Sequence, residues 1–333
     1  MSTLFEGELP LTPCADDGGA ISVPLPEMAP RMMPASSSRV VGPAQWRDGV
    51  EMVPVLFATH APARSRILVH LSGWTDRHRH SLAPSLLENI AGTAVHARAF
   101  LLPADGIVSY RIADVSGLPD DIGRTRDGWR RVHRLGRPDP SCPESIPTPL
   151  GGDASLWRGP RVAEASWLTH ETQPLVSINV DDREMTVLPG DQRTVVLLDG
   201  QFWTSLAPGA GLRAAGLGHT VVLVPSRMAD REAEMTTSDA AARLVERGLA
   251  AASRVLGLSV ERAFALAGQS YGGLATAEVA ADRPELLVHA IVQSGSFWYP
   301  DKDGHSSGAL VGRLQRGQGE VSVPVRIQVG SEE

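Results

Sequence analysis

Gly268-Gln269-Ser270-Tyr271-Gly272 sets a serine between two glycines, each two residues away. That spacing suits a nucleophilic serine on a sharp turn from a strand into a helix. The flanking positions must be small, because strand and helix nearly touch there. The plainer alternative is a glycine-rich turn with an incidental serine. Context favours the first reading. Ala263–Ala267 is a short apolar run, and Leu274, Ala277, Val279 and Ala280 give an apolar helix that stops before Pro284. The helix N-terminus then faces the serine, where its N–H groups suit a developing anion.

A serine hydroxyl is a weak nucleophile at neutral pH. It needs a base for its proton and donors for the oxyanion. One donor is the N–H of the residue after the nucleophile, Tyr271. Asp199-Gly200-Gln201 closes the strong strand pattern Arg193–Leu198 and is placed to supply the second, through the N–H of Gly200 or its neighbour Gln201. Each donor contributes about 2.7–4 kcal/mol to such a transition state. Asp-Gly is also an ordinary turn signal. The acid and base should follow the serine. Only His289 and His305 do, the first near the start of an apolar strand, the second in a polar loop. Glu333, just past the last strand pattern, is the candidate acid. No base is evident. Loss of a triad histidine costs about 10⁶-fold in kcat, so a truncated, fragmentary or catalytically impaired chain is expected.

The elements that must position these groups fall in two regions. Residues 1–40 lack periodicity and are expected to form an irregular arm. From 41 to 150 short strands follow one another (Val53–Thr59, Arg66–Leu71, Arg98–Leu102, Val108–Ala113), with Asp105-Gly106 as a turn, which predicts a small antiparallel β-sandwich. The Pro- and Gly-rich stretch 136–160 marks the domain boundary. From 151 to 333 the pattern is α/β. Apolar strands at Arg193–Leu198, Thr220–Val224, Ala263–Ala267, Val288–Val292 and Val323–Val329 alternate with helices. One helix spans Thr204–Ala215. A long one, capped by Ser238 or Asp239, runs to Leu256 before Gly257, and another lies near Ser307–Leu314. A parallel sheet covered on both faces is predicted.

At 333 residues, with 42% hydrophobic and 21% charged content, the chain is a two-domain globular protein. Its net charge of −7 argues against nucleic acid as a partner. One lysine, Lys302, stands among 31 basic residues, which codon bias explains. Cys14 and Cys142 follow no metal spacing and point to a reducing compartment. No stretch approaches the ~20 apolar residues of a membrane span, and no leader pattern opens the chain. A cytoplasmic protein is expected. His78 and His80 sit in the polar loop Asp76-Arg77-His78-Arg79-His80 without a third ligand, so no metal site is expected.

Three motifs in order, Val196-Leu197-Leu198-Asp199-Gly200-Gln201-Phe202-Trp203, Ala267-Gly268-Gln269-Ser270-Tyr271-Gly272-Gly273-Leu274 and Gln293-Ser294-Gly295-Ser296-Phe297-Trp298, resemble the enterochelin (enterobactin) esterase family within the esterase D group. Leu71-Ser72-Gly73, Tyr110-Arg111-Ile112 and Asp139-Pro140 are looser matches to that family's β domain. The resemblance covers the chain from about residue 50. It implies an α/β-hydrolase catalytic domain, incomplete at the C-terminus, preceded by a β-sandwich. It implies a cytoplasmic serine esterase that opens the ester bonds of a ferric catecholate siderophore, with iron present only as part of the substrate. Ser270 matches the nucleophile, Gly200 and Tyr271 the oxyanion donors, and Glu333 the acid. Arg231 and Glu234 match an Arg-x-x-Glu pattern, with Arg231 facing the anionic ligand and Trp203 lining the pocket; a surface ion pair and a core aromatic are the alternatives. The family's Gly-Gly-His segment, which carries the base, is absent. The competing expectations are a siderophore-binding pseudoenzyme and another carboxylic ester hydrolase, the latter disfavoured by the N-terminal β domain.

Overall fold

The computed structural model describes residues 21–23, 38–75, 81–148, 151–162, 175–190, 192–204, 211, 217–257, 263–300 and 308–329. His78, His80, Lys302, His305 and Glu333 lie outside them. The chain divides into two compact units, Met1–Glu164 and Ala165–Glu333.

In the first unit, β1 (Ile21–Val23), β2 (Arg39–Val40), β3 (Gln45–Arg47), β4 (Val50–His60), β5 (Ile67–Leu71), β6 (Glu88–Asn89), β7 (Val95–Pro103) and β8 (Ile107–Asp114) precede the helix α1 (Arg126–Leu135), and β9 (Ser145–Pro147) and β10 (Asp153–Arg158) follow it. One sheet has the order β1-β7-β4-β2, with β3 on β4 and β6 on β7; the other runs β5-β8-β10-β9. Every pairing in both is antiparallel.

The strand period of two sorts side chains between two layers. Ile67, Val69 and Leu71 of β5 meet Val55 and Phe57 of β4 and Phe100 of β7 in the core between the sheets. Leu68, one position out of phase, packs under α1 with Ala113, Trp129 and Val132. Phe57 stands edge-on to Phe100 and Tyr110, with ring centroids 5.8 and 4.9 Å apart. Arg111 is buried, and its guanidinium donates to the carbonyls of Asp153, His133 and Gly151.

The boundary expected at residue 150 falls instead at 164/165. The Pro- and Gly-rich stretch does not link the units, because β10 pairs with β8 from Ser155↔Tyr110 to Arg158↔Ile107. The region read as all β also contains α1, which Thr125 caps by accepting from the Gly128 N–H. Two pieces of the expected irregular arm are strands: β1 pairs with β7, and β2 with β4.

The second unit holds β11 (Val176–Val180), β12 (Arg183–Leu188), β13 (Gln192–Leu198), α2 (Gly200–Trp203), β14 (His219–Val224), α3 (Arg231–Met235), α4 (Ser238–Leu256), β15 (Phe264–Gln269), α5 (Tyr271–Asp282), β16 (Leu287–Gln293), α6 (Gly308–Gln315) and β17 (Val325–Gln328). Its sheet has the order β11-β12-β14-β13-β15-β16-β17. The five strands β13 to β17 are parallel to one another, as their apolar runs predict. The sheet as a whole is mixed, because the hairpin β11–β12 adds antiparallel at β14. Thr237, not Ser238 or Asp239, caps α4, its hydroxyl accepting from Ala240 N–H, and Ser238 Oγ donates to Asp282 instead. Gly257, at φ 63°, ends that helix. Of the predicted helix Thr204–Ala215, only Thr204 and Gly211 are described: Thr204 follows the short α2, and Gly211 is helical. No helix among the described residues is long and apolar enough to cross a membrane.

Candidate active site

β15 ends at Gln269, and the next residue, Ser270, takes φ 58°, ψ −120° before α5 begins. A non-glycine residue there is strained by about 1–3 kcal/mol and persists only where its surroundings enforce it. They do. Ser270 N–H donates to Gln293 C=O at 3.1 Å, and Ser270 C=O accepts from the amides of Leu274 and Ser296, each at 3.0 Å. A Cβ on Gly268 would lie 2.2 Å from the Gly272 carbonyl oxygen, so strand and helix backbones touch at this pair. The amides of Tyr271, Gly272 and Gly273 precede the first helical bond, Leu274 to Ser270, and form the positive end of α5.

The neighbouring strand brings the second group of residues. β13 runs parallel to β15 with Leu197 opposite Ala267, so Asp199 and Gly200 leave the sheet at the same edge as Ser270. Asp199 is in the left-handed region, φ 58°, and only 3% exposed. A Cβ on Gly200 would meet the Leu223 carbonyl carbon at 2.4 Å, which explains glycine at this position. A Cβ on Gly272 would lie 3.1 Å from Asp199 Oδ2, so the Asp199 side chain reaches the first turn of α5.

A polar network holds this loop. Arg231 donates through Nε to Asp199 Oδ1 (2.9 Å) and through Nη2 to Oδ2 (2.6 Å). Ser226 Oγ donates to Asp199 Oδ1 at 2.5 Å. Gln201 closes a reciprocal pair with Ser226: its Nε2 donates to Oγ (2.9 Å), and its Oε1 accepts from the Ser226 amide (3.0 Å). The Arg231 guanidinium also lies 5.3 Å from the Tyr271 ring centroid and 5.7 Å from that of Phe202. A second fork stands behind it, Arg183 to Glu234, at 2.9 and 2.5 Å. Burial pushes the Glu234 carboxyl up, but hydrogen bonds from Arg183 and the Arg227 amide, with both guanidinium charges, hold it below its ordinary value.

The structure therefore brings Ser270, Tyr271 and Gly200 to one sheet edge, with Arg231 beside them. Arg231 engages Asp199 and the Tyr271 ring, and it is a partly buried ion pair rather than a surface one. Trp203 is half-buried, short of the core aromatic of its alternative reading. Its indole N–H donates to Leu198 C=O at 3.0 Å, and its ring packs against Leu188, Val221 and Leu223.

His289 is exposed and sits four residues before the end of β16, about 13 Å along the strand from the site edge. His219 starts β14, at the opposite end of that strand from the edge. Among the described residues of this unit, no histidine reaches Ser270. Its hydroxyl lies 3.2 Å from that of Ser296, a residue the motif reading quoted without giving it a role. No group of three or more metal-ligating side chains occurs among the described residues.

Residues 46–168 match the family model described as enterochelin esterase, N-terminal. That span runs past β10, in keeping with the boundary at 164/165. The chain is 27% identical to an iron(III) enterobactin esterase of Escherichia coli strain K12, over 83% of this chain and 78% of that one. It is 25% identical to the iron(III) enterobactin esterase of Dickeya dadantii, over 79% and 70%. The crystal structure of the ferric enterobactin esterase from Salmonella typhimurium shares its fold at a TM-score of 0.69 and 23% identity, covering 89% of this chain and 83% of that one. The enterobactin esterase of Shigella flexneri, crystallised in the presence of enterobactin, gives 0.67 at 22% identity, with 91% and 84% covered. The resemblance read from the three motifs holds in sequence and in fold.

Proposed function

We propose that this chain, similar to enterochelin esterases in both units, is a serine esterase that hydrolyses the ester bonds of a ferric catecholate siderophore and so frees its iron inside the cell. The observation that carries the reading is the strained Ser270 between two glycines, set beside Asp199-Gly200, in a chain whose first unit matches the enterochelin esterase N-terminal domain.

In this mechanism Ser270 Oγ attacks the ester carbonyl carbon, and its proton passes to a general base. No residue for that role is among the described residues, and Glu333, the candidate acid, lies outside them. The oxyanion is received by the amides of Gly200 and Tyr271, one from each of two adjacent strand ends. The acyl-enzyme then yields to water, and the product is a linear hydroxy acid. This acyl transfer changes no oxidation state; in this reading the chain carries no cofactor of its own, and iron enters as part of the substrate. The net charge of −7 suits a small-molecule substrate and not nucleic acid. The free thiol of Cys142 suits the reducing cytoplasm, where no membrane association is needed.

The test is incubation of the purified chain with ferric and iron-free catecholate trilactone, with products read by mass spectrometry. Linear hydrolysis products from the wild type and none from Ser270→Ala are expected. Equal product from both proteins, or none from either, would overturn the proposal.

A further inference from the structure

Ser296 follows β16 by three residues and is 3% exposed. It touches the nucleophile twice. Its amide donates to Ser270 C=O at 3.0 Å, and its hydroxyl oxygen lies 3.2 Å from Ser270 Oγ. The loop that carries it is closely built. Ser294 turns at φ 44°, and its amide donates to Gln328 C=O at 2.7 Å. Gly295 has no room for a side chain, since a Cβ there would meet Val292 Cγ1 and the Phe297 ring at 2.9 Å. Gly273 of α5 presses on the same residue, a Cβ on it lying 3.0 Å from Gly295 Cα. A buried hydroxyl is costly without a hydrogen bond, and alanine would fill this space without that cost. Among the described residues, its side-chain partner is the Ser270 hydroxyl.

We propose that Ser296 is a positioning residue for the nucleophile: its hydroxyl donates to Ser270 Oγ and fixes the attacking rotamer. A serine oxygen carries one hydrogen and two lone pairs. For attack, the hydrogen must face the general base and one lone pair the ester carbon. The bond from Ser296 occupies the other lone pair, so the rotor has one productive setting. As the proton leaves Ser270 for the base and negative charge grows on Oγ, the bond from Ser296 shortens and strengthens. Ser296 keeps its own proton throughout. The inference deepens the esterase reading and rests on it.

The test uses the full chain with Ser296→Ala and Ser296→Thr, and three readouts. These are the rate of phosphonylation of Ser270 by a fluorophosphonate, kcat for trilactone hydrolysis, and affinity for the ferric catecholate by tryptophan quenching. Ser296→Ala should bind within about twofold of wild type but lose about tenfold in both rates, the worth of one hydrogen bond of about 1.4 kcal/mol. Ser296→Thr, which keeps the hydroxyl, should recover most of the rate. Ser296→Ala decides the matter. Phosphonylation at the wild-type rate, or rate and affinity falling together as a packing defect would make them, overturns the inference. A wild type that is phosphonylated but releases no linear product refutes the siderophore substrate alone, and Ser296 is then judged by the phosphonylation ratio. A wild type that is not phosphonylated overturns both.

Discussion

Replacing Arg231 by Met should open the loop that carries Gly200, and the size of the effect follows from burial. The Asp199 side chain is 4% exposed and that of Arg231 17%, with two charge-assisted bonds between them. Removing one partner of a buried pair costs about 3–5 kcal/mol, most of it the penalty of leaving the other charge uncompensated. At the lower figure the local opening constant rises about a hundredfold or more. Amide hydrogen exchange of a peptide covering residues 193–204 reads that constant directly. Arg231→Met should exchange there more than about a hundredfold faster than wild type. Arg231→Met combined with Asp199→Asn should return most of the way, because asparagine tolerates the left-handed backbone and leaves no buried charge. If Gly200 is an oxyanion donor, kcat should fall by about 10²–10³ in the single variant. The refuting result is unchanged exchange together with lost siderophore affinity, which would mean that Arg231 meets the ligand and not the loop.

Other expectations follow from the same geometry. Gly268→Ala forces a Cβ to 2.2 Å from the Gly272 carbonyl oxygen, so phosphonylation of Ser270 should vanish, with about 1–3 kcal/mol or more of stability lost in urea titrations. The lowered Glu234 pKa stabilises the second unit above the ordinary carboxylate value of 4.5, and this contribution is lost as pH falls through the depressed folded value. Glu234→Gln should flatten the acid limb of the stability curve, and an unchanged limb would count against the Arg183 fork. Burial, above all, raises the Tyr110 phenol well beyond its ordinary 10.0, so the folded protein holds a proton there that the unfolded chain releases. Stability should decline above about pH 10, and Tyr110→Phe should remove that part of the decline in base titrations followed by circular dichroism.

The elbow was legible in the sequence because its constraints are local: an apolar strand, two glycines at fixed spacing and an apolar helix within twenty residues. The strands around it were legible for the same reason, β14 and β16 each extending the predicted run by one residue at one or both ends. What the sequence hid depends on register. Arg231 lies 32 residues from Asp199, and only the parallel pairing of β13 and β15 puts Asp199 beside Tyr271. Ser296 reaches Ser270 because β16 lies next to β15 with Gln269 opposite Gln293, which no spacing rule contains. The misplaced domain boundary has a different cause. Ala154, Ser155, Leu156 and Trp157 are all buried, so β10 shows no alternation, and the prolines and glycines before it mask its start.

That hidden strand has a practical consequence for dividing the protein. Tyr110 O–H donates to Asp139 Oδ2 at 2.9 Å, the Asp139 amide donates to Ser155 Oγ at 2.7 Å, and Ser141 donates to Asp139 Oδ1 through amide and hydroxyl. These bonds fasten the segment after α1 to the sandwich at both β8 and β10. A first unit produced alone must therefore run through Arg158. Ending it at residue 150 would remove Ser155 and Trp157, leave β8 as a raw sheet edge on that side and uncover Val108 and Tyr110. Such a fragment should precipitate or be digested by trypsin, whereas a first unit that keeps the β8–β10 pairing should stay soluble and resist digestion.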